Sequence, residues 1–130
     1  MPHFFTLDEA RATLPAVRDL ILELQEQKRR LDTVRAQVES AGRKARSNGS
    51  LGGTTADGGR PEIERLAQRI QAGLRRIDEI GCHVKDLNLG LVDWSTLRDG
   101  HEVYLCGRPD EPDILHWHEI ADGFSGRQPL

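Results

Sequence analysis

The chain is poor in the residues that several familiar protein classes require. Two cysteines, Cys82 and Cys106, are too few for a disulfide framework and suit a reducing compartment. No run of even fifteen apolar residues occurs, against the roughly 20 that a membrane-spanning helix needs. The opening residues, Met1-Pro2-His3-Phe4-Phe5, carry no basic segment ahead of an apolar stretch, so the expectation is no secretory leader and a cytoplasmic protein without a membrane partner. Aromatics make up only 5% of the chain, and none lies between Lys28 and Arg46, its most basic stretch. That absence removes the stacking platforms a single-stranded nucleic-acid site uses.

What is present suffices for one folded domain. The chain has 130 residues, of which 37% are hydrophobic, enough to build a core. The net charge of −3 conceals a separation of signs. Seven basic residues between Lys28 and Arg46 face two acids, Asp32 and Glu39, whereas nine acids between Asp86 and Asp122 face only Arg98 and Arg108.

Helical periodicity fills the first 80 residues. Thr6-Leu7-Asp8-Glu9 has the form of a capping box, in which Thr6 and Glu9 satisfy each other's amides. Leu14-Pro15 then predicts a break, because proline lacks an N–H and disfavours helical geometry in its predecessor. A short helix over 7–13 is therefore expected, followed by a long one over 15–43. The long one carries Leu14, Val17, Ile21, Leu24, Leu31 and Val38 on a three-four spacing with near-heptad character. It would run roughly 40 Å at 1.5 Å per residue, against a diameter of about 36 Å for a compact sphere of this size. That comparison predicts an elongated molecule or a flanking second subunit. Residues 47–59, rich in glycine and small polar residues, predict a flexible connector. A third helix is expected from Pro61 to about Ile80, with Ile63, Leu66, Ile70, Leu74, Ile77 and Ile80 on one face and Gly81 as its stop.

After Gly81 the period changes to two. Residues 82–87, 89–94, 102–106 and 114–120 read as strands, with a turn or bulge near Asn88 and Gly90 and a turn over Ser95–Gly100. Residues 122–130, with two glycines and a penultimate proline, read as an irregular tail, docked through Phe124 and Arg127. Arg127 is expected to pair with Asp93, Asp86 or Glu119. The fold class is α+β: a long antiparallel helical hairpin, preceded by a short N-terminal helix, packed on a small antiparallel β-meander over 81–121.

The densest chemical constellation is His116-Trp117-His118-Glu119. Alternate residues of a strand share a face, so His116 and His118 project together. Two imidazoles on one face can ligate a metal when a neighbouring strand supplies a third ligand, for which Cys106, Asp93, Asp86 and His83 are available. The candidate metal set is His116, His118, Glu119 and Cys106, suited to zinc, iron, nickel or copper. Histidines packed with satisfied hydrogen bonds are the simpler alternative. Glu119, Asp122 and His118 offer an acid–base set, and Cys106 with His116 or His118 a nucleophile, but no oxyanion loop accompanies either, so the reading leans away from an enzyme. Arg43, Lys44 and Arg46 at the basic tip, with Phe124 and Arg127 in the tail, are the candidate interaction residues. The tip reads as a solvated helix face more readily than as a nucleic-acid site.

Phe5-Thr6-Leu7-Asp8-Glu9-Ala10, Val84-Lys85-Asp86-Leu87, Gly90-Leu91-Val92-Asp93, Val103-Tyr104-Leu105-Cys106 and the ending Trp117-His118-Glu119 to Gly126-Arg127-Gln128-Pro129-Leu130 resemble the bacterial "domain of unknown function 2203" family. The resemblance spans essentially the whole chain, and the Trp-His to Gly-Arg-x-Pro-Leu ending is its specific part. Family members commonly carry Trp where this chain has Gly107. The resemblance implies a small cytosolic bacterial protein and transfers no substrate, cofactor or catalytic residue. The leading expectation is thus a non-enzymatic structural or interaction protein, homo-oligomeric as a dimer or higher. Metal binding through His116 and His118 is the second expectation, and nucleic-acid binding by the basic tip the third.

Overall fold

A computed structural model describes residues 3–47 and 59–130. Two helices, α1 (Leu7–Ser47) and α2 (Arg60–Ile80), precede five strands: β1 (His83–Asp86), β2 (Leu91–Arg98), β3 (His101–Gly107), β4 (His116–His118) and β5 (Gln128–Pro129). The strands form one antiparallel sheet in sequence order, which makes the fold α+β. No helix among the described residues is long and apolar enough to cross a membrane. The expected connector over 47–59 falls almost wholly outside the described residues.

The chain divides into two compact units, Met1–Gln25 with Leu74–Leu130, and Glu26–Gly73. In the second unit Leu31 and Val34 of α1 meet Leu66 of α2, with Val38, Ile63 and Ile70 packed around them. An Arg30–Glu62 ion pair at 2.8 Å lies beside that cluster.

In the first unit the capping box forms as expected. Thr6 N–H donates to Glu9 Oε1 at 2.9 Å, and Glu9 N–H donates to Thr6 Oγ1 at 3.1 Å. Hydrogen bonding to the carboxylate from the Thr6 amide first, and from the Thr6 hydroxyl second, holds the Glu9 carboxyl below its usual range. The expected break at Pro15 does not occur: α1 passes through it without interruption. Proline inside a helix costs about 3 kcal/mol. Ala10, Leu14, Val17, Ile21 and Leu24 lie on one stripe spanning the proline, and all are buried. Burial of each larger apolar side chain stabilises by about 1.5–3 kcal/mol, so a continuous stripe outweighs the local penalty. Pro15 itself faces outward, and Thr13 Oγ1 caps the Ala10 carbonyl at 2.7 Å. At the other end of the helical region, Gly81 (φ 109°) terminates α2, its amide bonded to the carbonyls of Ile77 and Asp78.

The sheet departs from expectation in three places. Ser95–Arg98 continues β2 as strand, and the reversal is confined to Asp99 (φ 52°) and Gly100 (φ 85°). An Asp-Gly pair with two positive φ angles is the two-residue hairpin turn whose twist matches that of the strands, so both strands extend to it. β4 is shorter than 114–120, because the chain turns at Glu119, whose carbonyl receives the Asp122 amide at 3.1 Å. The C-terminal residues are not wholly irregular: Gln128–Pro129 pair with β4, and the Leu130 amide reaches the Leu115 carbonyl at 3.0 Å.

Pleating assigns the two faces of the sheet. Trp94 Nε1 donates to Thr13 Oγ1 at 2.8 Å, so the face bearing Val92, Trp94, Val103 and Leu105 meets α1. The cross-strand partners Asp93 and Cys106, with Ser95 and Tyr104, point the other way.

Candidate metal centre

Register brings the polar face together. Cys106 lies opposite Asp93 on β2 and opposite His116 on β4, while Tyr104 lies opposite His118. The face turned away from α1 nevertheless buries Asp93, Ser95, Cys106 and His118. Near Cys106 and His116 it is flanked by Glu111, from the segment after β3, and by Arg127, from the tail. Glu111 and Arg127 form an ion pair at 2.5 Å, and Arg127 also reaches the Cys106 carbonyl at 3.5 Å. Arg127 and Arg108 flank the Phe124 ring, with centroid distances of 4.9 and 5.5 Å. Arg18 donates to the Glu111 carbonyl at 2.9 Å, which ties the segment after β3 to α1.

On this face, one ligand atom each from Asp93, Cys106 and His118 all lie within 4.8 Å of one another. The side chains of His118 and Asp93 are only 1% and 4% exposed, with Nε2 and Oδ1 3.0 Å apart. His118 Nδ1 is 2.7 Å from the Glu119 carbonyl. A carbonyl oxygen only accepts, so Nδ1 carries a hydrogen and Nε2 is the nitrogen turned toward Asp93 and Cys106. A backbone carbonyl holding one imidazole nitrogen while the other is presented inward is how metal-ligating histidines are oriented. The Tyr104 ring, 5.5 Å from that of His118, fixes it from the side.

The Cys106 thiol is pushed up to about 11, by burial first and by the Asp93 charge second, with Arg127 opposing. Both nitrogens of His118 are engaged elsewhere, so the histidine is not poised to take the thiol's proton. The arrangement therefore does not furnish the base that a nucleophilic cysteine needs.

Of the four residues predicted as metal ligands, the structure brings two together, Cys106 and His118. His116 shares their face, but its Nδ1 lies 3.6 Å from Glu111 Oε2. The Glu119 side chain turns outward to His101 at 3.4 Å and contributes its carbonyl instead. Asp93 takes the third position, and of the other sequence candidates Asp86 caps the Leu89 amide. Arg127 pairs with Glu111 and not with Asp93, Asp86 or Glu119, because the tail runs beside β4 and meets the segment after β3. Glu111 carries no sequence signal, since it lies in the segment between β3 and β4 and reaches the site through contacts with His116 and Arg127. Of the other interaction candidates, Phe124 is partly exposed beneath its two arginines. Arg43 pairs with Glu39 at 2.9 Å and Lys44 is exposed, while the Arg46 side chain lies outside the described residues.

No curated protein and no solved structure matches the chain. A family model described as "Uncharacterized conserved protein (DUF2203)" matches residues 3–130, essentially the whole chain, and the protein belongs to that family.

Proposed function

We propose that the protein binds a divalent transition metal, zinc by its ligand chemistry, through Asp93, Cys106 and His118. The observation that carries this reading is the convergence of three donor atoms within 4.8 Å, one of them an imidazole nitrogen oriented from behind by a backbone carbonyl. Thiolate, imidazole and carboxylate together suit tetrahedral zinc, at about 2.0–2.3 Å from each donor. Neighbouring donors around such an ion stand roughly 3.5 Å apart, so loading requires only small side-chain movements. Charge favours the same ion. Thiolate and carboxylate supply two negative charges, a divalent cation cancels them, and the nearby Arg127 is already balanced by Glu111. Three protein ligands leave a fourth position for water or for a further side chain.

Untagged protein analysed for bound metal, beside Cys106→Ser and His118→Ala variants, tests the reading. About one metal per chain is expected in the parent and little in either variant. Cobalt added to metal-free protein should give thiolate-to-metal charge-transfer absorption that disappears with Cys106→Ser. Equal metal content in all three proteins would remove the proposal.

A further inference from the structure

A second feature lies across the sheet from the metal centre, at the end where α1 begins. Phe4, Leu97 and Leu130 are 39%, 56% and 46% exposed and come from three separate segments, yet they rim one open cleft of about 440 Å³. Single exposed apolar residues are ordinary, but three converging on one concavity are not. The floor is Val103, Leu105 and Trp117, all buried, and the adjoining Phe5 is pinned by its amide to the Ser95 carbonyl at 2.8 Å. The floor is therefore built by the core and the sheet, not by mobile side chains.

Among the lining side chains one is charged. The Arg98 guanidinium lies over the Trp117 ring, 4.3 Å from its centroid. Stacking fixes the plane of the group while leaving its edge N–H donors available. Arg11 and Arg127 are committed to Asp113 and Glu111, whereas Arg98 pairs with no carboxylate among the described residues. No acidic side chain lines the cleft. That is notable because the unit containing it has 15 acidic residues against 8 basic ones. A concave apolar wall with one oriented, unpaired cation is complementary to a molecule with an apolar body and a single anionic end. The volume falls within the range of roughly 300–1,000 Å³ typical of small-molecule sites.

We propose that this cleft binds a small amphiphilic monocarboxylate, with the Arg98 fork taking the carboxylate and the floor over Val103, Leu105 and Trp117 taking the apolar body. The inference is independent of the metal centre, which occupies the opposite face of the sheet.

Octanoate, kept below its micellar concentration, is the probe, with 1-octanol as the same tail without charge and acetate as the head without a tail. Binding is followed by NMR through the indole N–H signals of Trp117 and Trp94. Octanoate should shift Trp117 saturably and leave Trp94, buried against Thr13, nearly unmoved; acetate should do neither. Arg98→Gln should weaken octanoate by about tenfold or more, the usual consequence of losing a charge-assisted fork, and leave octanol binding unchanged. Leu97→Asp should weaken both. Both substitutions are at exposed positions, and urea midpoints confirm that the variants fold. Octanoate affinity that is indifferent to Arg98→Gln would overturn the proposal, as would the absence of a saturable Trp117 shift. So would sedimentation showing a dimer that Leu97→Asp dissociates while octanoate has no effect, since a second copy would then be the occupant.

Discussion

His118→Ala is the sharpest single perturbation of the polar face. His118 Nε2 and Asp93 Oδ1 stand 3.0 Å apart with side-chain exposures of only 1% and 4%. Removing the imidazole leaves a carboxylate nine-tenths or more buried with its partner gone, and takes from the Glu119 carbonyl one of its two hydrogen bonds. Breaking one partner of a buried pair costs about 3–5 kcal/mol, most of it the penalty of the stranded group. Asp93→Ala should cost a comparable amount for the same reason. The double variant should cost less than the sum of the singles, with a coupling of about 2 kcal/mol, because two residues in direct contact are not independent. Urea unfolding in the presence of a chelator measures all four corners of the cycle, provided the slope with denaturant is unchanged. A loss below about 1 kcal/mol for His118→Ala, or strict additivity of the two changes, would refute the claim that these groups form a buried pair.

Three further expectations follow from particular contacts. Burial, ahead of the charge on Asp78, pushes the Cys82 thiol up to about 12 from an ordinary 9.0. The unfolded chain therefore loses this proton first as pH rises, and stability falls between pH 9 and 12 by at most about 4 kcal/mol; Cys82→Ala should flatten the alkaline limb of a urea-midpoint profile. A Cβ at Gly107 would stand 3.2 Å from Trp94 Cζ3, so Gly107→Ala should cost about 1 kcal/mol by crowding the ring. Gly107→Trp should not fold unless Trp94 is also cut back to Ala, as soluble expression and near-UV circular dichroism would show. Zinc loading should release the Cys106 thiol proton, so affinity should rise with pH; calorimetry in buffers of different ionisation enthalpy counts the protons released, and a count of zero would contradict thiolate ligation.

Periodicity made the helices legible as far as local chemistry controls them. Thr6 and Glu9 cap, Gly81 stops, and Ile63, Leu66 and Ile70 line one face because those effects act within a turn or two of chain. Pro15 was misleading because its penalty is local while the stripe that overrides it, Ala10 to Leu24, is stabilised by a sheet formed 80 residues later. The same limit applies to the candidate metal centre. Cys106 and His118 could be named as candidates from residue type and strand parity. Choosing Asp93 over His83 or Asp86 required the β2–β3 register, which places Asp93 opposite Cys106. Discarding Glu119 required the turn that points its carbonyl inward and its carboxylate outward. Glu111 and Arg127 carried no spacing signal, since their meeting depends on a tail strand only two residues long.

The two faces of the sheet set a comparison that separates stability from function. Against α1, Val92, Trp94, Val103 and Leu105 are buried apolar groups, and each stabilises the fold by removing hydrocarbon from water. Asp93 and His118 are buried to a similar degree on the other face, but taking them out of water carries a desolvation cost that their attraction repays only in part. A face flanked by a loop and a tail would be held at least as well by apolar residues, so packing alone gives no reason for this set. It follows that Asp93→Leu combined with His118→Leu, which fills the space and strands no charge, should leave stability unchanged or raise it by about 1–4 kcal/mol. The same double variant should lose metal completely. This outcome contrasts with that of His118→Ala, which removes one partner and keeps the other buried. Urea midpoints and metal content measured on one preparation decide the matter. If the doubly apolar protein were destabilised by more than about 2 kcal/mol, the pair would be part of what holds the sheet together, and its burial would need no ligand to account for it.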